Sequence, residues 1–161
     1  MGIIEFFINN YLDIQRSLLR HIQLVGISVL IGMIISIPLG IFLSRHKRIA
    51  GPVLAVAGTI QTIPGLVMLG FALILFGIGL FPALVVLSLY AILPILRNTY
   101  TGITEVEPSY IEAGRGIGMT NMQILAKVEL PLSLPSIISG IRISTVYIVS
   151  WSTLAGLIGA G

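Results

Sequence analysis

An all-α, polytopic transmembrane helical bundle is the fold class this sequence predicts, on three observations. Apolar residues make up 56 % of the chain and charged residues only 9 %, a balance outside the soluble globular range. Charge-free runs cover residues 22–44, 49–96 and 143–161, and about 20 apolar residues suffice to cross roughly 30 Å of hydrocarbon. Between the second and third runs lies a long polar segment, residues 97–129, that belongs outside the lipid.

The first run is one span, and the second is twice too long for one. Its reversal is expected at Gly77-Ile78-Gly79-Leu80-Phe81-Pro82, where two glycines and a proline discourage helix continuation. Four helices result, near 22–44, 51–76, 82–102 and 135–161. Residues 1–20 mix Ile, Phe and Leu with Asn, Asp and Arg, reading as a short amphipathic segment at the outer surface. The 22–44 run is too long for the apolar core of a cleavable signal and lacks its small-residue cleavage site, so it is expected to stay as a helix.

Within the first span Ser28, Gly32, Ser36, Gly40 and Ser44 recur every fourth position. That spacing lines one helix face with small side chains, which in lipid lets two backbones approach closely. Pro38 removes one hydrogen bond from the same helix, so a kink is expected. Midway along the second span, Gln61-Thr62-Ile63-Pro64-Gly65 sets two polar side chains before a helix-breaking pair. Interrupted helices at mid-membrane mark binding sites in transporters, or are packed kinks.

Orientation follows from charge. Six of the nine basic residues lie at 45–48 and 97–129, segments separated by two spans and therefore on one side, and Arg142 makes seven. The positive-inside rule places these segments in the cytoplasm and the N-terminus outside. The net charge of +3 is thus accounted for by topology, with no nucleic acid needed. Cysteine is absent, so neither a disulfide nor a thiolate metal site is expected.

The polar island carries signals for two short helices. Ser109 with Glu112 and Thr120 with Gln123 both fit a capping box, and Glu107 followed by Pro108 is an alternative start for the first helix. Gly114, Gly116 and Gly118 favour a sharp turn between the two. In the second helix Ile124, Leu125 and Val128 share a face opposite Gln123 and Lys127, a pattern suited to lying under a membrane domain, and Pro131 is expected to end it.

No phosphate-binding glycine motif, His-Glu-x-x-His or Gly-x-Ser-x-Gly occurs, so no catalytic residue, cofactor or metal is expected. His21 and His46 flank the first span and read as solvated interfacial residues. Tyr147 and Trp151 stand four apart in the last span, followed by Ser152 and Thr153. Trp151 lies well inside the span, where it either packs in the core or lines a passage.

Read as Glu112-Ala113-Gly114, three residues, Gly118, nine residues, Val128-Glu129-Leu130-Pro131, the island resembles the cytoplasmic EAA loop of ATP-binding-cassette (ABC) importer permeases. That loop runs Glu-Ala-Ala, three, Gly, nine, Ile-x-Leu-Pro; Val128 stands for Ile and Gly114 for the second Ala. Segments 38–45, 61–65, 94–103, 116–120 and 151–161 are similar to one subgroup, the permeases of importers for glycine betaine, carnitine, choline or proline betaine. The resemblance covers residues 16–161.

The resemblance implies the type I ABC importer permease fold with a short cytoplasmic pair of coupling helices. It also implies a second permease subunit, two ABC ATPase subunits that hydrolyse the ATP, and an extracellular substrate-binding protein, in a bacterial cell membrane. It assigns Glu112, Ala113, Gly114, Gly118, Leu130 and Pro131 to ATPase coupling. Gln61, Thr62, Pro64, Tyr147, Trp151, Ser152 and Thr153 are candidates for the translocation path. Permeases of this group continue past 161, so at least one further span is expected. Importers of methionine or related amines and thiols share the architecture. From another class, a non-transporting scaffold or a channel has no need of an ATPase-docking spacing, and no ring-forming set of charges stands in the spans.

Overall fold

A computed structural model describes residues 7–156. In order it comprises α1 Tyr11–Arg45, α2 Lys47–Thr62, α3 Gly65–Phe76, α4 Leu80–Thr104, α5 Pro108–Gly116, α6 Asn121–Ile124, a π-helical turn Leu125–Glu129 and α7 Leu130–Ala155. By length and composition α1, α4 and the continuous run Asn121–Ala155 are able to cross a membrane. The 35 residues of α1 reach roughly 50 Å at 1.5 Å each, well beyond the hydrocarbon thickness. Residues 11–20, expected as part of a separate amphipathic segment, are the first turns of α1 and are exposed; residues 1–6 lie outside the described residues.

Three helices form the packed centre, and small residues set their spacing. The face Ser28, Gly32, Ser36, Gly40 and Ser44 is buried throughout. A Cβ on Gly32 would lie 2.7 Å from Ala91 Cβ, and one on Gly40 would lie 2.8 Å from Thr99 Cβ. Since 32 faces 91 and 40 faces 99, α1 and α4 run in the same direction. Ser36 donates its hydroxyl to the Ile92 carbonyl at 3.0 Å, a bond that only close backbones permit.

Helix α7 runs opposite to both. Gly102 lies against Ser136, Gly140 against Asn98 and Ile95, and Ser144 donates to the Ala91 carbonyl at 3.1 Å. A second face of small residues, Ser133, Gly140, Ser144 and Ser152, interleaved with Ile137 and Ile148, carries this contact and was not read from the sequence. At one end Ser152 Oγ lies 3.0 Å from His21 Nε2, so His21 is a packing partner and not merely a solvated residue.

Two parallel helices in sequence need a return path, and α2 with α3 provides it. The two are bent by 90° across Ile63 and Pro64. Leu69 and Ala72 of α3 are buried in the same core cluster as Leu24, Val29, Leu87 and Ile148. The reversal after Phe76 uses φ of +81° at Gly77 and +137° at Gly79, conformations that side chains with a Cβ rarely adopt. Helix α1 runs through Pro38 unbroken from Tyr11 to Arg45.

Candidate functional site

Two regions combine accessible surface with defined local geometry. The first is the polar island. Helix α5 starts with Glu107 as N-cap and Pro108 at its first turn, so the expected Ser109–Glu112 capping box does not form. Proline's φ is preset for the first helical position and its missing N–H is no loss there, which favours this start over the overlapping one. Ser109 donates instead to Glu107 Oε1 at 2.8 Å, leaving Glu112 exposed on the helix surface.

The chain leaves α5 through a Schellman turn. Met119 N–H donates to the Gly114 carbonyl at 3.0 Å and Gly118 N–H to the Arg115 carbonyl at 2.9 Å, with Gly118 at φ +83°. Of the glycine trio only Gly118 has a positive φ. Gly114 is buried in α5, where a Cβ would sit 3.3 Å from Ile124 Cγ1, so the glycine that replaces the motif's alanine seats α6 closely. The Thr120–Gln123 capping box does form, with Thr120 N–H donating to Gln123 Oε1 at 2.9 Å and Gln123 N–H to Thr120 Oγ1 at 3.3 Å.

Helices α5 and α6 thereby form one small unit with an outward face. Glu112 and Ala113 are exposed, and in the same unit Tyr110, Ile117 and Met122 expose 52 %, 76 % and 72 % of their surface. The unit thus exposes large apolar side chains within an otherwise polar segment.

Pro131 does not end the second helix. The π-helical turn, with Leu130 N–H donating to the Leu125 carbonyl, opens the backbone ahead of the ring, and the run continues into α7. Leu130 is half-buried and Pro131 exposed at this junction. Beside it sits a group the sequence reading left unassigned. Glu129 is 3 % exposed, and both its oxygens accept from the guanidinium of Arg45, Oε1 from Nη1 at 3.0 Å and Oε2 from Nη2. The end of α1 and the root of the α5–α6 unit thus meet at one end of the bundle.

The second region is the break between α2 and α3. A residue before proline is pushed out of the α region, and Ile63 and Pro64 both have extended backbone, ψ 130°. The break frees the Ile63 carbonyl, which accepts a hydrogen bond from the buried hydroxyl of Tyr90 on α4. Gln61 Nε2 donates to the Tyr90 carbonyl at 3.5 Å. Around the break is a cavity of about 200 Å³ lined by Gln61, Thr62, Pro64 and Gly65 with Tyr90, Tyr147 and Trp151.

Trp151 both packs against the core cluster and borders this cavity, with its ring on Gly65 and 5.8 Å from that of Tyr90. Tyr147 is exposed at the rim. Ser152 is buried toward His21 and Thr153 is exposed, donating to the Val149 carbonyl at 3.3 Å; neither lines the cavity. Tyr90 was missed because one tyrosine in an apolar run gives no signal until the break is placed against it. A larger groove of about 310 Å³, between Leu39, Val53, Ile60 and Leu96, has an apolar lining with no polar side chain to orient a solute. Among the described residues no group of three His, Asp or Glu is placed to hold a metal ion.

A packed helical membrane bundle carrying a two-helix unit at one end is the architecture of an importer permease. The family described as binding-protein-dependent transport system inner membrane component matches residues 24–161, and the chain belongs to it. The resemblance read from the EAA spacing is therefore borne out, and the chain is a multi-pass membrane protein.

The chain is 44 % identical over 159 residues to the choline transport system permease protein OpuBB of Bacillus subtilis (strain 168), covering 99 % of this chain and 73 % of that one. It is 47 % identical over 142 residues to the glycine betaine/carnitine/choline transport system permease protein OpuCB of the same organism, covering 88 % and 65 %. To the carnitine transport permease protein OpuCB of Listeria monocytogenes it is 42 % identical over 160 residues, covering 99 % and 73 %. Among solved structures, an inward-facing MetNI methionine ABC transporter matches with a TM-score of 0.80 at 27 % identity, covering 100 % of this chain and 79 % of that one.

Proposed function

We propose that this chain is the permease subunit of an ATP-driven importer for osmoprotectants such as glycine betaine, carnitine or choline. The observation that carries the reading is the α5–α6 unit: a motif-spaced helix pair, turned at Gly118, with Glu112 and Ala113 exposed and Tyr110, Ile117 and Met122 exposed on the same unit. ATPase subunits dock there, at the cytoplasmic end. Closure of the ATPases displaces the pair and with it the helices of the bundle, while ATP hydrolysis stays with the partner. A binding protein delivers the solute from outside, and a second permease subunit completes the passage.

For the solute path we propose the cavity at the α2–α3 break. Gln61, Thr62 and the extended backbone at Ile63 and Pro64 offer polar contacts, and Tyr147 and Trp151 offer aromatic faces to a quaternary ammonium. Methionine is the solute named for the structural neighbours. The osmoprotectant reading is favoured because relatives named for choline, carnitine and glycine betaine share 42–47 % of residues with this chain, against 27–28 % for the methionine transporter structures.

Glu112→Lys in the full-length permease tests the docking role. The ATPase is expected to be lost on co-purification, because the reversed charge cannot make charge-assisted hydrogen bonds that a carboxylate makes. Glu112 takes no part in a cap, so helix destabilisation does not compete as the explanation. An ATPase that still co-purifies and is still stimulated removes Glu112 from the docking surface. Orientation is tested separately with single cysteines in this cysteine-free chain. An impermeant thiol reagent on intact cells is expected to label position 5 and not position 121; the reverse pattern overturns the topology.

A further inference from the structure

We propose that Glu129 and Arg45 are positioning residues, a bidentate joint that carries movement of the docking unit into α1; this rests on the reading of α5–α6 as the ATPase contact. Glu129 closes the π-helical turn between α6 and α7, and Arg45 is the last residue of α1, 84 positions away in sequence. The carboxylate is almost wholly buried, while the Arg45 side chain is 42 % exposed. A buried carboxylate is held in place by its partner, since parting the two leaves an uncompensated charge. The planar fork of arginine fixes orientation as well as distance.

What makes such a joint necessary is the backbone beside it. A π-helical turn followed by Pro131 is a yielding part of the Asn121–Ala155 run, because it replaces the regular ladder over Leu125–Glu129 and removes one donor just beyond. Displacement of α5 and α6 arriving there can be absorbed by local bending of that turn. Glu129 is itself part of the turn, and its ion pair to Arg45 resists that bending, so the push is delivered to the C-terminal end of α1. From there the small-residue face of α1 transmits it to α4, whose backbone it touches at Gly32 and Gly40. A cation at a helix C-terminus is also favourably placed against the helix dipole, which supports Arg45 in this role over Lys47 or Arg48 at the start of α2.

The test uses the full-length permease with its ATPase and binding protein in proteoliposomes, measuring glycine betaine uptake and ATP hydrolysis together. Uptake per ATP hydrolysed is the informative ratio, because a smaller folded fraction lowers both quantities and leaves the ratio unchanged. Glu129→Gln is expected to keep the ATPase bound and to lower the ratio about tenfold, the upper range for residues along a coupling route. Arg45→Lys keeps the charge but loses the fork, and is expected to lower it by about threefold. It is the deciding variant if Glu129→Gln does not reach the membrane. The exchange Arg45→Glu with Glu129→Arg is expected to recover more than the two single changes sum to, as coupled residues do. An unchanged ratio in Arg45→Lys and in any Glu129→Gln protein that reaches the membrane, with ATPase still bound, overturns the joint alone. Failure of the wild-type permease to retain the ATPase overturns the docking reading and the joint with it.

Discussion

Gly140→Leu is expected to leave almost no assembled bundle, whereas Gly26→Leu, on the exposed side of α1, is expected to behave as wild type. A Cβ at position 140 would stand 2.7 Å from Asn98 Cβ, 2.8 Å from the Pro94 carbonyl oxygen and 3.2 Å from Ile95 Cα. Overpacking costs about 1–3 kcal/mol where side chains can shift, but two of these three atoms are backbone, so α4 and α7 themselves must separate. Separation also breaks the Ser144 bond to Ala91 and strands both groups without water. At Gly26 no atom lies within 4 Å. Membrane abundance and thermal stability of the detergent-extracted full-length proteins measure the difference. Equal stability of the two variants would show that the small-residue contact does not set the helix spacing.

The same contact shows what a sequence can disclose about such a fold. The α1 stripe was legible because five small residues repeat at a strict period of four. Its counterpart on α7 was not, because Ile137 and Ile148 stand among Ser133, Gly140, Ser144 and Ser152 on one face, so the small residues form no unbroken stripe although the period of four is there. The EAA spacing was legible since it is local, and local spacing survives into the α5–α6 unit. Its fine structure was less so: two overlapping start signals competed at Glu107 and Ser109, and only the assembled helix decides between them.

Pro131 was read as a stop from its missing donor, and the π-helical turn that accommodates it cannot be deduced from composition. The cavity at the α2–α3 break was half legible. Gln61, Thr62 and Pro64 announce a break, but the bond from Tyr90 joins residues 27 apart, and the Arg45–Glu129 pair joins residues 84 apart. Pairings across helices depend on register, which hydropathy does not encode.

Gly118→Val is expected to abolish uptake while leaving the permease in the membrane, and the reason is conformational rather than steric. No atom lies within 4 Å of a Cβ built at this position, and the residue is exposed, so valine meets no clash. Its backbone, at φ +83°, is the obstacle. A left-handed conformation costs an L-residue roughly 1–2 kcal/mol, and a β-branched side chain is a genuine outlier there. To relieve that strain the turn must open, and the two bonds closing it, from Met119 to Gly114 and from Gly118 to Arg115, are lost together.

The consequence falls on α6. Ile124 is 2 % exposed and rests against Gly114, so the relative placement of α5 and α6 depends on the turn that Gly118 makes. An ATPase groove that accepts the pair as one shape no longer meets it. Two companion variants separate this account from a general intolerance of the loop. Gly118→Asn is expected to retain much of the uptake, because asparagine tolerates the left-handed region. Gly116→Ala is expected to retain all of it, since Gly116 lies in α5 with ordinary φ and open space around it. Labelled glycine betaine uptake, set against membrane abundance in the full-length protein, reads all three. Wild-type uptake in Gly118→Val would detach the turn from coupling, and loss in Gly116→Ala equal to that in Gly118→Val would locate the requirement in the loop's surface instead of its backbone.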